Sequence, residues 1–121
     1  MQLTFFIVGL GSMGKRRIRN LRINGEEKII GFDIRIDRRK EAETKYNIQT
    51  IDDFKILSPD DFDVLIISTS PEAHGDYIRF ALNHKKHFFV EHPTSDDGYV
   101  DIFKHNHLDI IKAPSCTLLF Y

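Results

Sequence analysis

The chain has 121 residues, of which 41% are hydrophobic and 29% charged, with a formal net charge of −1. These values predict one globular domain and argue against a nucleic-acid partner, which would favour a basic excess, and against an anionic membrane surface. The apolar start "MQLTFFIVGL" is too short to span a membrane and lacks the features of a secretion signal. The single cysteine, Cys116, permits no internal disulfide, and we expect a cytoplasmic location.

Short apolar runs alternate with polar, helix-like stretches along the whole chain. The predicted strands are Leu3–Val8, Lys28–Phe32, Asn47–Thr50, Val64–Ser68, His87–Val90 and Thr117–Phe120. The predicted helices are Ser12–Ile23, Asp37–Tyr46, Asp52–Ile56, Glu72–Asn83 and Ser95–His107. Runs such as "FFIV" and "VLII" are continuously apolar, which is typical of strands buried on both faces of a parallel sheet. The alternation predicts an α/β fold with a doubly wound parallel sheet in three α/β/α layers.

The first strand leads directly into a glycine-rich turn, within "FIVGLGSMGKRRIRNL". Gly9, Gly11 and Gly14 fit the pattern G-x-G-x-x-G between an apolar strand and an amphipathic helix. In such a turn the first glycine permits the bend, the second lets the backbone approach a pyrophosphate, and the third allows close packing of helix on sheet. The N–H groups of the helix N-terminus then face the anion. The stretch predicts a dinucleotide cradle, and the alternative is a glycine turn without a ligand.

The second strand, "KIIGFD", ends at Asp33, nineteen residues after Gly14. A carboxylate at this place can accept hydrogen bonds from the ribose hydroxyls of the adenosine, and its charge disfavours a 2′-phosphate. Asp33 therefore predicts NAD. Arg35, Arg38 and Arg39 leave NADP open, because an arginine there can hold that phosphate. The alternative is a turn aspartate followed by a solvated helix face.

The stretch "VLIISTSPEAHGDYIRFALNHKKHFFVEHP" predicts a strand, a polar turn, a helix and another strand, followed by Glu-His-Pro. Ser68, Thr69 and Ser70 lie at the carboxyl end of the fourth strand, beside the switch point where open α/β sheets bind ligands. Pro71 suits the first turn of a helix because it needs no N–H acceptor there. Glu91 ends the fifth strand, near where we expect a nicotinamide ring.

In these motifs the chain resembles the Gfo/Idh/MocA family, which includes glucose–fructose oxidoreductase and inositol dehydrogenase. Its opening is similar to the family's G-x-G-x-x-G-R-R-H-L-R-N-L, "TSPEAH" is similar to T-P-P-x-x-H, and "VEHP" is similar to V-E-K-P. The resemblance covers nearly the whole chain. It implies an NAD(P)-binding Rossmann domain over residues 1–121, followed in the family by an α/β substrate domain. It also implies an oxidoreductase that acts on sugars, polyols or related compounds with NAD or NADP.

The resemblance implies two groups of cofactor-binding residues. The adenosine diphosphate portion would be held by Gly9, Gly11, Ser12, Met13, Gly14 and Asp33. The nicotinamide side would be lined by Thr69, Ser70, His74 and Glu91. From the residue pattern itself, Arg35 joins the first group.

Three features depart from the family pattern. His92 stands where the family has a lysine that helps proton transfer at the substrate hydroxyl. Histidine titrates near neutrality and can act as an acid or a base, so His92 is the catalytic candidate, and the alternative is an incidental polar residue. The chain ends at Tyr121, so we expect it to bind cofactor but to lack the family's substrate domain and a complete active site. Lys85 stands where the family commonly has a glycine, which predicts a strained turn.

The remaining signals predict no further site. The six histidines lack carboxylate or cysteine partners at ligand spacing, so we expect no metal. The expected partners are a nicotinamide cofactor and, in the full-length protein, a sugar or polyol. Self-association is a further expectation, because a domain cut off at its sixth strand exposes apolar surface. The alternative function is a stand-alone nucleotide-binding sensor or interaction module without catalysis.

Overall fold

The computed structural model describes residues 2–91, 109–113 and 116–120. Its strands are β1 (Phe5–Val8), β2 (Ile29–Phe32), β3 (Gln49–Ile51), β4 (Val64–Ile67), β5 (His87–Glu91), β6 (Asp109–Ala113) and β7 (Cys116–Phe120). Its α-helices are α1 (Ser12–Ile23), α2 (Ile36–Tyr46) and α3 (His74–Asn83). The predicted helix Ser95–His107 lies outside the described residues. Within them, no helix is long and apolar enough to cross a membrane.

The strands form a sheet in the order β3-β2-β1-β4-β5-β7-β6. The strands from β3 to β5 are all parallel, which confirms the predicted doubly wound α/β fold. Beyond β5 the sheet departs from the prediction, because β7 runs antiparallel to both β5 and β6. Strand β6 was not predicted at all. Only two residues separate β6 from β7 in the sequence, and so short a connection can join only antiparallel strands.

The two faces of the sheet carry separate hydrophobic cores, as three layers require. Along β1, Ile7 belongs to the core under α1 and α2, whereas Phe6 and Val8 belong to the core under α3. This alternation follows from the period of two in a strand, and a strand covered on both faces must be apolar at every position. All three side chains have no exposed surface.

Helix α1 has the predicted bounds, and its basic face is largely engaged by α2. Lys15 forms an ion pair with Glu41 at 2.7 Å. Arg19 donates to the hydroxyl of Tyr46 at 2.8 Å, and Arg22 donates to the main-chain oxygen of the same residue at 2.9 Å. The basic residues of α1 therefore hold the two helices of this layer together.

The connection from β3 to β4 contains no α-helix. The predicted helix Asp52–Ile56 is wrong, because this stretch contains only a 3₁₀ turn at Phe54–Ile56, followed by a second at Pro59–Asp61. Asp53 begins the first turn by accepting a hydrogen bond from the N–H of Lys55 at 3.0 Å. The proline at 59 disfavours helical backbone at the residue before it, so the first turn cannot extend.

The turn after α3 shows the strain that the missing glycine predicts. Lys85 has a φ of 53°, which lies in the left-handed region of backbone space. This conformation is unfavourable for any residue that has a Cβ. The N–H of Lys86 donates to the oxygen of Ala81 at 2.9 Å, which closes the helix C-terminus as a Schellman motif does. Asn47 has the same φ at the end of α2, where asparagine tolerates it better.

We expect Lys85→Gly to raise the free energy of unfolding by about 0.5–1 kcal/mol, because glycine adopts this backbone without strain. Urea denaturation followed by circular dichroism measures the change. Lys40→Gly is the control, since this exposed lysine lies inside α2, where glycine should cost about 1 kcal/mol. A loss of stability in Lys85→Gly would contradict the strain argument.

Candidate functional site

The glycine turn between β1 and α1 is held by close backbone contacts. Gly9 has a φ of 95°, and a Cβ added to it would lie 2.7 Å from the oxygen of Ser68. A Cβ added to Gly14 would lie 1.8 Å from the oxygen of Gly9, which no real Cβ could tolerate. The first and third glycines are therefore required by the backbone itself, as the motif predicts.

The turn opens onto a crevice between the carboxyl ends of β1 and β4. The chain order of the strands reverses here, since β1 leads to β2 and β3 on one side and β4 leads to β5 on the other. The crevice has a volume of about 250 Å³. It is lined by Gly9, Phe32, Asp33, Ile34, Arg38, Ser68, Thr69, Ser70, Ala73 and Tyr77. Such a switch point is where open α/β sheets bind ligands.

Asp33 fixes the shape of this crevice from the end of β2. Its side chain is buried, with 6% exposure. Oδ2 accepts a hydrogen bond from the N–H of Leu10 at 2.9 Å, and Oδ1 accepts one from the N–H of Arg35 at 2.9 Å. Each carboxylate oxygen can accept more than one hydrogen bond, so Asp33 keeps acceptor capacity for a ligand. The carboxylate thus ties the glycine turn to the next strand.

The three arginines after β2 have three different arrangements. Arg35 pairs with Asp37 through two hydrogen bonds of 3.1 and 2.7 Å and does not line the crevice. Its guanidinium and the Asp37 carboxylate shift each other's titration, so the pKa of Asp37 is lowered. Arg39 donates to the main-chain oxygen of Asp33 at 2.8 Å. Only Arg38 lines the crevice, with Nη1 3.6 Å from Oδ2 of Asp33.

The loop between β4 and α3 brings buried polar atoms to the crevice. Among the described residues, Ser68 Oγ and Thr69 Oγ1 are buried without a hydrogen-bond partner. His74 is 1% exposed, and its Nε2 lies 2.8 Å from the oxygen of Thr69. A carbonyl oxygen only accepts, so Nε2 carries the proton and donates. Buried polar atoms without partners are uncommon, and hydroxyls at a crevice are well placed for a bound ligand.

The structure brings several of the predicted site residues together and separates others from them. Gly9, Asp33, Thr69 and Ser70 line the crevice. Gly11 and Gly14 flank the first turn of α1, where Ser12 and Met13 are exposed. His74 lies behind the crevice and supports its loop. Glu91 ends β5 but its side chain is not described, and His92 lies outside the described residues.

Sequence reasoning chose Arg35 over Arg38 for the candidate site and did not name Tyr77. Arg38 was one of three candidate arginines, and only the helical path of α2 shows which of them turns toward Gly11. A Cβ on Gly11 would lie 3.5 Å from Nη1 of Arg38. Tyr77 follows His74 by three residues on α3, and this spacing puts neighbouring side chains on one helix face.

A metal centre is not visible in the part of the chain that the structure describes. There, no group of three histidine, cysteine, aspartate or glutamate residues comes close enough to hold an ion.

A turn that requires glycine, a carboxylate at the end of the second strand and buried hydroxyls at the switch point define a dinucleotide-binding α/β domain. Residues 3–108 match the model of the Gfo/Idh/MocA oxidoreductase family, described as an NAD-binding Rossmann fold. The chain belongs to this family, and its domain is an NAD-binding Rossmann domain. The predicted family and cofactor class are therefore confirmed.

Individual relatives agree with this assignment. Inositol 2-dehydrogenase of Salmonella typhimurium is 39% identical over 100 residues, which are 78% of this chain and 30% of that protein. An oxidoreductase from Agrobacterium radiobacter, solved with NAD+, L-tartaric acid and magnesium, superposes with a TM-score of 0.73 at 20% identity, over 88% of this chain and 32% of its own. A second solved structure is the Y186F mutant of the 3-ketoreductase KijD10 from Actinomadura kijaniata, in complex with NADP and TDP-benzene. It superposes with a TM-score of 0.75 at 19% identity, over 88% of this chain and 34% of its own. The chain spans about 30% of the length of the curated relatives that it matches.

We expect Gly14→Ala to lower the free energy of unfolding by about 3 kcal/mol, because the added methyl group must push α1 away from β1. Gly11→Ala should cost less than about 1 kcal/mol, since Gly11 has a φ of −74° and its Cβ would meet only a flexible guanidinium. Urea denaturation of both variants measures the difference. Equal losses would contradict the close contact at Gly14.

Proposed function

We propose that this chain is the cofactor-binding part of an oxidoreductase that transfers a hydride between a nicotinamide cofactor and a carbon of a sugar or polyol. The observation that supports this most strongly is the glycine turn facing the crevice at the switch point. The cofactor supplies the hydride chemistry, and the residues of this chain bind and orient it. The curated relative from Salmonella acts on inositol by its name, which supports a polyol as the substrate class.

In this proposal the pyrophosphate lies against the turn from Gly9 to Gly14. The first N–H groups of an α-helix have no acceptor within the helix, and the helix dipole adds a partial positive charge there. Ser12 and Met13 occupy the first turn and are exposed, so their backbone can be reached from solvent. A side chain at Gly11 would extend toward the guanidinium of Arg38, into the space proposed for the pyrophosphate.

The carboxylate of Asp33 would accept hydrogen bonds from the adenosine ribose. Two backbone N–H groups hold it in place, so it cannot turn away from a 2′-phosphate on the same sugar. The fixed negative charge therefore favours NAD over NADP. Arg38 reduces this preference, because its guanidinium lies beside the carboxylate and can pair with a phosphate.

The loop after β4 would serve the nicotinamide side. Thr69 and Ser70 line the crevice, and the buried hydroxyl of Thr69 is available as a donor or acceptor. His74 acts as a positioning residue in this proposal, because it holds the oxygen of Thr69 and does not line the crevice itself. Glu91 and His92 stay predictions of the sequence, with His92 as the candidate for proton transfer. Substrate contacts beyond these would come from the part of the family's proteins that this match does not cover.

We expect the chain to bind NADH in a calorimetric titration, and Gly11→Ala to weaken the binding at least about tenfold while the chain stays folded. Calorimetry is preferred because the chain has no tryptophan for energy transfer. Gly25→Ala is the control for backbone strain alone, since Gly25 lies in the turn after α1 with a φ of 84°, where alanine is strained, and an added Cβ has no neighbour within 4 Å. Unchanged affinity in folded Gly11→Ala would overturn the assignment of the pyrophosphate to this turn.

We expect NADPH to bind more weakly than NADH. Arg38→Ala should weaken the binding of NADPH by about a further tenfold, while the affinity for NADH changes less than about threefold. Parallel titrations with both cofactors give the ratio. Arg35→Ala is a matched control, because that arginine has the same charge and pairs with Asp37 outside the crevice. A larger effect of Arg35→Ala would instead favour Arg35 as the phosphate partner.

A further inference from the structure

A second and larger groove adjoins the cofactor crevice on the α3 side of the sheet. Its volume is about 710 Å³, within the range of about 300–1,000 Å³ that ligand pockets span. It lies between α3 and the connection that leads from β3 to β4. Because this connection forms only two 3₁₀ turns, it leaves one face of α3 partly uncovered.

The wall of this groove is built from aromatic rings. Phe54 stands at the centre, with its ring 5.0 Å from that of Tyr77 and 4.7 Å from that of Phe80, both in edge-on arrangements near 74°. All three side chains are partly exposed and line the groove. Aromatic faces carry negative potential and attract organic cations as well as apolar groups.

The charges that line the groove have the same preference. Asp52, Asp53 and Asp76 contribute carboxylates, against one lysine, Lys55, and a histidine, His84. Asp53 is engaged with a backbone N–H, and Asp76 forms an ion pair with an arginine. The carboxylate of Asp52 has no hydrogen-bond or ion-pair partner within the described ranges.

The pKa of the Tyr77 phenol responds to the burial and the charges around it. Burial raises the pKa of Tyr77, and the nearby charges of Asp76 and Asp33 raise it further. Burial disfavours a charge of either sign at this wall, whereas the carboxylates of Asp76 and Asp33 disfavour an anion and favour a cation.

We propose that this groove is a separate binding site for an organic ammonium ion with an aromatic or alkyl body. The body packs against the rings of Phe54, Tyr77 and Phe80, and the ammonium group lies toward the carboxylate of Asp52. The site shares Phe32, Ile34 and Tyr77 with the cofactor crevice but contains none of the glycine turn or the loop after β4.

Two probes with the same phenylethyl body and opposite charge test the chemistry. Phenethylamine is an ammonium ion at neutral pH, and 3-phenylpropanoate carries a carboxylate on the same aromatic body. Titrations of the ¹⁵N-labelled chain should give saturable shifts at residues 52–57 and 76–84 with phenethylamine, and at least about tenfold weaker binding of 3-phenylpropanoate. Equal binding of both probes would overturn the proposal.

A matched pair of variants tests the assigned carboxylate. Asp52→Asn should weaken phenethylamine binding about threefold or more, because it removes the unpaired charge but keeps the shape. Asp60→Asn is the control, since Asp60 is an exposed acid of the same connection that does not line the groove. The proposal fails if both variants bind phenethylamine as the unmodified chain does, or if both weaken it equally.

The last arm separates this groove from the cofactor crevice. At saturating NADH the affinity for phenethylamine should change less than about threefold, since the two sites share part of a wall but no charged side chain. Complete competition would overturn a separate site and assign the groove to the dinucleotide. If NADH does not bind at all, the proposed cofactor function fails, and the two tests above still decide the ammonium site.

Discussion

The backbone contact between Gly9 and Gly14 is the constraint on which the rest of the structure depends. With no Cβ at either position, the first turn of α1 rests directly on the end of β1. This closeness sets the height of α1 over the sheet, and with it the packing of Ile18 and the ion pair and hydrogen bonds that join α1 to α2. The same contact involves Gly9, which lines the crevice next to the helix N-terminus. One steric requirement therefore serves both the fold and the binding of an anion.

The polar groups around the crevice are held in place by the protein before any ligand arrives. Asp33 is anchored by two backbone N–H groups, and the oxygen of Thr69 is anchored by the buried imidazole of His74. Groups fixed in this way lose little freedom on binding, which lowers the cost of association. Arg38 differs from them, because its guanidinium is partly exposed and only 3.6 Å from a carboxylate. Arg38 can therefore change its position more easily than Asp33 or the Thr69 carbonyl.

The sequence predicted most of the parallel half of the fold, because its signals are local. Helix α1 follows a glycine turn and has a clear apolar stripe, so its bounds were predicted to the residue. The turn Phe54–Ile56 was mistaken for a helix, because hydrophobic spacing over five residues cannot distinguish a 3₁₀ turn from the start of a longer helix. Strand β6 was missed because "DIIKA", among the described strands, pairs only with β7, a partner that sequence periodicity does not reveal.

The candidate site was predicted where it depends on backbone and missed where it depends on side-chain direction. The glycines and Asp33 have positions that any such strand–turn–helix requires. Which of Arg35 and Arg38 lies beside the crevice depends on the partner that each one binds. Arg35 pairs with Asp37, whereas Arg38 lies next to Asp33 at the crevice. A motif contains no information on those partners.

Gly9 and Ser68 both line the crevice, and they are close in space although they are far apart in the chain. β1 and β2 are joined through α1 in one local unit, whereas β1 and β4 can pair only after a long loop has closed, at a cost in chain entropy. Docking of β4 thus extends the sheet beyond β1 and creates the ligand's place in the same step. A dinucleotide can bind only the assembled chain, so its concentration governs how much of the chain stays assembled and protected from proteases.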